Sequence, residues 1–274
     1  MLSYGHRWGD FSWDSSFTFS ANKNEIVELV KDYVHPETGK TYNVDKLELK
    51  TDEGRGFGKA KFILKEGGTL GDLYTHADLK RDINGNILID DSGNVTAIDN
   101  AGDIKLGSVL PKANLAWNNS FSYKGINAGF LLTARLGGIV YSATQAYLDL
   151  YGVSETSAAA RDAGGVWVNG RSRVNPQSFY EVVASQSGLP TYYTYSATNL
   201  RLQEAHIGYT IPRRWLGNVC DINVSLVGRN LWMIYCKAPF DPEAVATTNN
   251  YYQGIDYFMM PSTRNIGFNI KINF

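Results

Sequence analysis

Apolar and polar side chains alternate along much of this sequence, in runs longer than a globular strand needs. Ala113, Leu115, Trp117, Phe121 and Tyr123 interleave with Asn114, Ala116, Asn118, Ser120 and Ser122. Beyond Lys124-Gly125, Ala128, Phe130, Leu132, Ala134 and Leu136 interleave with Asn127, Gly129, Thr133 and Arg135. A period of two sends each set to its own face of a strand, and a two-residue link ending in glycine makes a hairpin. Phe11, Trp13, Phe17 and Phe19 follow the same rule, as do Ala205, Ile207, Tyr209 and Ile211, and then Ile222, Val224, Leu226 and Trp232. Near the end, Ile266, Phe268, Ile270, Ile272 and Phe274 alternate with Asn265, Gly267, Asn269, Lys271 and Asn273. Leu200 and Leu202 fall out of phase with Ala205, which predicts a bulge. Weaker runs lie at Glu25 to Tyr33, after an Asn22-Lys23-Asn24 corner, and at Phe57 to Lys65 and Thr69 to Leu79 around Gly67-Gly68.

These runs make nine expected strands, joined by short corners near Asn22, Gly67, Lys124 and Arg214 and by long connections. The long ones cover about His35 to Gly56, Lys80 to Pro111, Gly137 to Thr198 and Cys236 to Thr263. Short and long links alternate, the asymmetry of an antiparallel transmembrane β-barrel with tight periplasmic turns on one rim and long extracellular loops on the other. The better strands match a tilted bilayer crossing. Trp13, Trp117, Tyr123, Tyr209, Trp215 and Trp232 are placed toward strand ends or corners, where rings would form an interfacial girdle. Nine open strands leave two bare edges, so the fold expected is all-β and a partial barrel.

Composition agrees. The 274 residues include 17 Tyr, 12 Phe, 6 Trp and 27 Gly with only 19% charged residues, a balance suited to many strands and turns. A net charge of −1 provides no basic stripe for nucleic acid. No stretch approaches the ~20 apolar residues of a membrane-spanning helix, and MLSYGHRWGDF lacks the form of a secretory signal.

Catalytic and metal motifs are missing. His6, His35, His76 and His206 are scattered without ligand spacing, and no metalloprotease, nucleophile-elbow or Walker pattern occurs. The chain is read as a non-enzyme with no cofactor. Asp82-Ile83-Asn84-Gly85-Asn86, followed by Asp90, Asp91 and Asn94, has a calcium-loop flavour, but Ile87 and Gly93 stand where an EF-hand needs Gly and Glu. Two turns, Asn84-Gly85 and Ser92-Gly93, are expected instead. Cys220 and Cys236 bracket a strand of about fifteen residues and so lie roughly 50 Å apart, beyond disulfide reach.

Several segments resemble the C-terminal part of SusC/RagA-type TonB-dependent outer-membrane transporters. They are GDFSWDSSFTFSANKNEIVEL near the start, ILKEGGTLGDLY, LGSVLPKANLAWNNSFSYKG, LRLQEAHIGYTIPRRWL, VSLVGRNLW, FDPE and PSTRNIGFNIKINF. The resemblance runs over nearly the whole chain, in order. It implies residues 1–274 as the C-terminal portion of a plugged barrel of roughly 22 strands. It also implies glycan or oligosaccharide uptake, with peptide as an alternative, driven by the TonB complex beneath a SusD-like surface lipoprotein in a Gram-negative outer membrane. The family's signal peptide, TonB box, plug domain and about thirteen earlier strands have no counterpart in this sequence. A terminal aromatic on an alternating strand resembles the signal read by the barrel-assembly machinery, which assigns that role to Phe274.

Ligand contacts are then expected on the long connections, where sugars meet aromatic faces beside amides and acids. Trp167, Tyr180, Tyr192, Tyr193 and Tyr195, with Arg161, Asp162 and Asn169, offer these in one connection, and Tyr251, Tyr252 and Tyr257 in the last. Rings packing the loops against each other or a lid would give the same pattern. Two other classes fit the strands: a secreted soluble carbohydrate-binding or adhesin-like β-protein, and a small self-sufficient outer-membrane barrel. By itself the chain is expected to be aggregation-prone in water, with lipid-facing sides and edges bare.

Overall fold

The computed structural model describes residues 1–49, 59–246 and 253–273. Its framework is one seven-stranded sheet. The strands are β1 (Leu2–Trp8), β2 (Phe11–Ala21), β3 (Ala113–Tyr123), β4 (Ile126–Leu136), β5 (Asn199–Ile211), β6 (Asp221–Cys236) and β7 (Asn265–Asn273). Each pairs antiparallel with its predecessor, so chain order is also sheet order. The links Gly9-Asp10, Lys124-Gly125 and 212–220 are short, whereas 22–112, 137–198 and 237–264 are long. Lys124 and Gly125 both take positive φ, 46° and 89°, as a two-residue hairpin of matching twist requires.

Cross-strand register places the apolar sets on one continuous face. Phe17 lies opposite Trp117, Trp117 opposite Leu132, Ala128 opposite Ile207, Ile207 opposite Leu226, and Leu226 opposite Phe268. The other face carries Ser16, Asn118, Thr133, Arg201, Asn223 and Lys271. Its polar groups bond to one another, as in Asn127 and Asn223 donating to Thr210 at 3.0 and 2.9 Å and Arg229 donating to Glu204 at 3.0 Å. The apolar face is left bare: Ile207 is 56% exposed and Phe268 78%. The two stacked layers of a soluble sandwich are not what covers it.

Two polar residues on that face are answered locally. The indole of Trp13 donates to Asn119 Oδ1 and that of Trp117 to Ser15 Oγ, each at 3.0 Å. Aromatic rings close over them, with Trp13 stacked on Phe121 and Trp117 edge-on to Phe130. Such pairing satisfies both indole donors, which lipid could not, although Asn119 Nδ2 is buried without a partner among the described residues. At the short-turn rim Trp8 stacks with Phe11, and Tyr209 lies 6.4 Å from Trp215. Trp117, expected near a strand end, sits in mid-strand opposite Phe17.

The hydrophobic core lies outside this sheet. Phe62, Leu73, Val109, Tyr141, Phe179, Val183, Leu189 and Ile255, all buried, come from the three long connections, which fold together into a lobe. A four-stranded sheet (Lys46–Leu49, Ala60–Lys65, Asp72–Thr75, Ile104–Ser108) is supplied by the first connection. The second and third meet where Ile139–Ser142 pairs in parallel with Ile255–Asp256.

The nine-strand expectation is therefore corrected to seven in the long sheet. The Asn22 corner makes no hairpin; Val30–Val34 pairs instead with Thr41–Val44. Ala60–Lys65 and Asp72–Thr75 do pair across Gly67-Gly68, but within the lobe, where Asp72–Thr75 is buried on both sides. At four to six residues they are too short for a bilayer. Conversely, β1 is a strand beyond those expected, with Leu2, Tyr4, His6 and Trp8 alternating on the apolar face. The expected bulge is present, as register shifts between Leu202 and Glu204.

Candidate functional site

Within the lobe, the second connection, which strand alternation marks only as a long link, carries three helices: α1 (Ala143–Leu150), α2 (Glu155–Asp162) and α3 (Pro176–Val183). Each starts on a side-chain cap. Ser142 accepts from the Gln145 amide, Ser154 from Ser157 and Asn175 from Gln177, with Pro176 at the first helical position. Ser142 also donates to Asp256 at 2.6 Å, fastening α1 to the third connection.

Between these helices, the hairpin Val166–Val168/Ser172–Val174 and the segment 192–195 lies a cleft of about 310 Å³. Trp167, Tyr180, Tyr192, Tyr193 and Tyr195 all line it, so five residues singled out by sequence converge on one site. Tyr251, Tyr252 and Phe274 lie outside the described residues. Tyr257 packs elsewhere, against Tyr147 and Phe258. Arg161 reaches Ser157 on its own helix.

Sequence could not tell scaffold from surface among these residues. The Tyr193 hydroxyl donates to Asp149 Oδ2 at 3.0 Å, and Asp149, buried on α1, also accepts from Gln145 and Ser154. Asn169 is consumed too: its side chain accepts from the Ile87 amide at 2.9 Å and donates to the Ile87 carbonyl at 2.8 Å, tying the hairpin to the first connection. Tyr193 and Asn169 therefore build the cleft wall. By contrast, no hydrogen bond engages the Tyr180 or Tyr195 hydroxyl among the described residues, and Trp167 is 57% exposed with the Arg173 guanidinium 4.5 Å over its ring. Asp149 in the wall has no sequence motif to announce it.

Electrostatics keep these phenols protonated. Burial, then the Asp149 charge, pushes Tyr195 up to about 12. The same two causes raise Tyr180 and, more strongly, Tyr193. Burial also raises Tyr192, with Arg81 beside it acting the other way. The cleft thus presents ring faces and neutral hydroxyl donors around a carboxylate whose acceptors are occupied.

The tandem Asp82 and Asp90 loops are turns. Asp82 Oδ1 accepts from the Asn84 and Asn86 amides, and Asp90 Oδ1 from Ser92 and Asn94. Among the described residues no three potential ligands gather into a metal site. Cys220 and Cys236 sit at opposite ends of β6 as free thiols.

A long antiparallel meander, apolar on one face and polar on the other with a loop lobe at one end, defines the class by its fold: an open antiparallel sheet of the membrane β-barrel kind. No protein-family model matches the sequence. It is 25% identical, over 96% of its length, to TonB-dependent receptor P3 of Formosa agariphila, and 25% identical over 98% to TonB-dependent receptor P26 of the same organism. In structure it resembles a chain of the RagAB peptide transporter with a TM-score of 0.65 at 16% identity, over 99% of this chain and 28% of that one. Over nearly its whole length the chain is thus similar to proteins named TonB-dependent receptors and shares the fold of a RagAB chain. It spans 27% and 28% of the length of those two curated relatives.

Proposed function

We propose that this chain is the C-terminal stretch of an outer-membrane nutrient importer of a Gram-negative bacterium, its short turns periplasmic and its lobe outside the cell. The carrying observation is the apolar face: register joins seven strands into one greasy surface that no layer of the described residues covers, while the opposite face bonds polar groups. Lipid is the solvent that stabilises such a surface. The TonB complex, a SusD-like lipoprotein over the lobe and the barrel-assembly machinery are the proposed partners, and glycan the proposed cargo, held in the aromatic cleft. A soluble adhesin would strand this face in water.

Peptide cargo is the second reading, favoured by the likeness to a chain of the RagAB peptide transporter. The experiment is uptake by cells lacking the native protein and carrying the full-length gene, wild type or Trp167→Ala. Loss of oligosaccharide uptake with normal outer-membrane levels supports glycan import. Wild-type uptake of peptides alone favours the second reading, and a protein recovered from the soluble fraction refutes both.

A further inference from the structure

The cleft's lining carries a charge signature that its aromatic content alone does not specify. No Lys, Arg or His lines it among the described residues, and its one ionisable acid is Asp149, held by three side-chain donors. Arg173 is drawn to the Trp167 ring, and Arg81, which reaches the Tyr192 hydroxyl from outside the lining, is already engaged by Asp78 and the Gly85 carbonyl. An anionic ligand unit entering here would give up its water beside a fixed carboxylate and find no cation in the wall, a penalty that low-dielectric surroundings enlarge.

A hydrocarbon side chain fits poorly for another reason. It would bury the unengaged hydroxyls of Tyr180 and Tyr195 without partners. A ring that carries hydroxyls around its edge and C–H groups on its faces answers both features, its faces against Trp167 and Tyr192 and its oxygens accepting from the two phenols. At about 310 Å³ the space is at the small end of ligand sites and suits one unit of an oligomer.

We infer that this cleft is a subsite for one uncharged sugar ring of an oligosaccharide and that it rejects acidic sugars. The inference rests on the proposal that the lobe contacts cargo. The test is calorimetric titration of the full-length protein in detergent with neutral hexasaccharides (glucan, xylan, mannan, galactan), hexagalacturonate and an uncharged hexapeptide. At least one neutral hexasaccharide is expected to bind, about tenfold more weakly to Trp167→Ala and severalfold more weakly to Tyr180→Phe/Tyr195→Phe. Hexagalacturonate is expected to bind only to Thr156→Lys, which adds a cation at an exposed lining position.

Wild-type binding of hexagalacturonate on a par with the neutral ligands overturns the inference and leaves cargo contact standing, provided the variants weaken it. Variant-sensitive binding of the peptide alone does the same. Neutral binding untouched by all the variants, or no binding to any ligand, removes both the subsite and the proposal beneath it.

Discussion

Arg201 grips Asp241 with two hydrogen bonds, Nη2 to Oδ1 at 2.7 Å and Nη1 to Oδ2 at 3.2 Å, so that a strand of the sheet holds the third long connection by a buried fork. Glu243 adds a second carboxylate 3.2 Å from the same guanidinium. One strand away, Arg135 donates to the Val109 carbonyl at 2.8 Å and secures the first connection. The lobe is thus keyed to the polar face by arginines on β4 and β5. Asp241-Pro242-Glu243, one of the segments that resembled the transporter family, has a mechanical role here.

Arg201→Ala strands two acids against the sheet and is expected to cost about 3 kcal/mol. Faster amide exchange at 238–246 than at 143–150 checks it. An Arg201→Met/Asp241→Leu pair, which leaves no charge behind, is expected to restore part of the protection.

The same latch predicts an acid limit. Burial disfavours the Asp241 carboxylate, but hydrogen bonds from Arg201 and the Glu243 amide outweigh it and hold its pKa below the ordinary 3.8. A depressed carboxylate contributes stability that is full above its unfolded value and lost as pH falls through the folded one. Protection at 238–246, measured against the intrinsic amide exchange rate at each pH, should be flat from neutrality to about pH 4 and fall below it, and Asp241→Asn should abolish that step.

At the alkaline end the sign reverses. Tyr195, raised to about 12 by burial and then by Asp149, favours the folded state fully below pH 10 and loses that contribution as pH rises through its folded value. Phenolate absorbance of the folded protein should show a tyrosine class titrating near pH 12, absent in Tyr195→Phe.

Gly188 supports the cleft from behind. Its φ of 87° and ψ of 160° belong to a region that only glycine occupies readily, and a Cβ there would meet Tyr193 Cδ2 at 2.4 Å and Ala146 Cβ at 2.6 Å. Gly188→Ala should destabilise the lobe by about 2 kcal/mol or more. Loss of near-ultraviolet circular dichroism with retained strand signal is the readout.

The lipid assignment predicts opposite outcomes for adjacent residues. Ile207→Arg, on the apolar face, should cost about 2–4 kcal/mol and lower outer-membrane assembly, whereas His206→Arg, on the polar face, should be tolerated. Equal tolerance by urea unfolding in lipid vesicles would argue that the face is not lipid-covered.

The long strands were legible because little competes with their pattern: alternation along Ala113–Tyr123, broken on the apolar side only at Asn119 and closed by Lys124-Gly125, specifies faces and hairpin together. The aromatic residues that line the cleft were legible only as a cluster, since rings packing the connections against each other give the same pattern, as Tyr193 does. Asp149 was not, because a lone helical acid looks like any solvated one.

By itself, then, the sequence determined which side chains of the longest strands share a face, the tight turns at Lys124-Gly125 and 212–220, and that long and short links alternate. Tertiary structure alone decided that Asp72–Thr75 joins the lobe, that Leu2–Trp8 joins the sheet, and that Tyr193 is scaffold while the Tyr195 hydroxyl has no partner among the described residues. The reason is physical. A period of two reports only that two faces differ, and it is satisfied equally by lipid or by packed protein. Partner, register and burial depend on residues distant in the chain, as Tyr141 depends on Ile255.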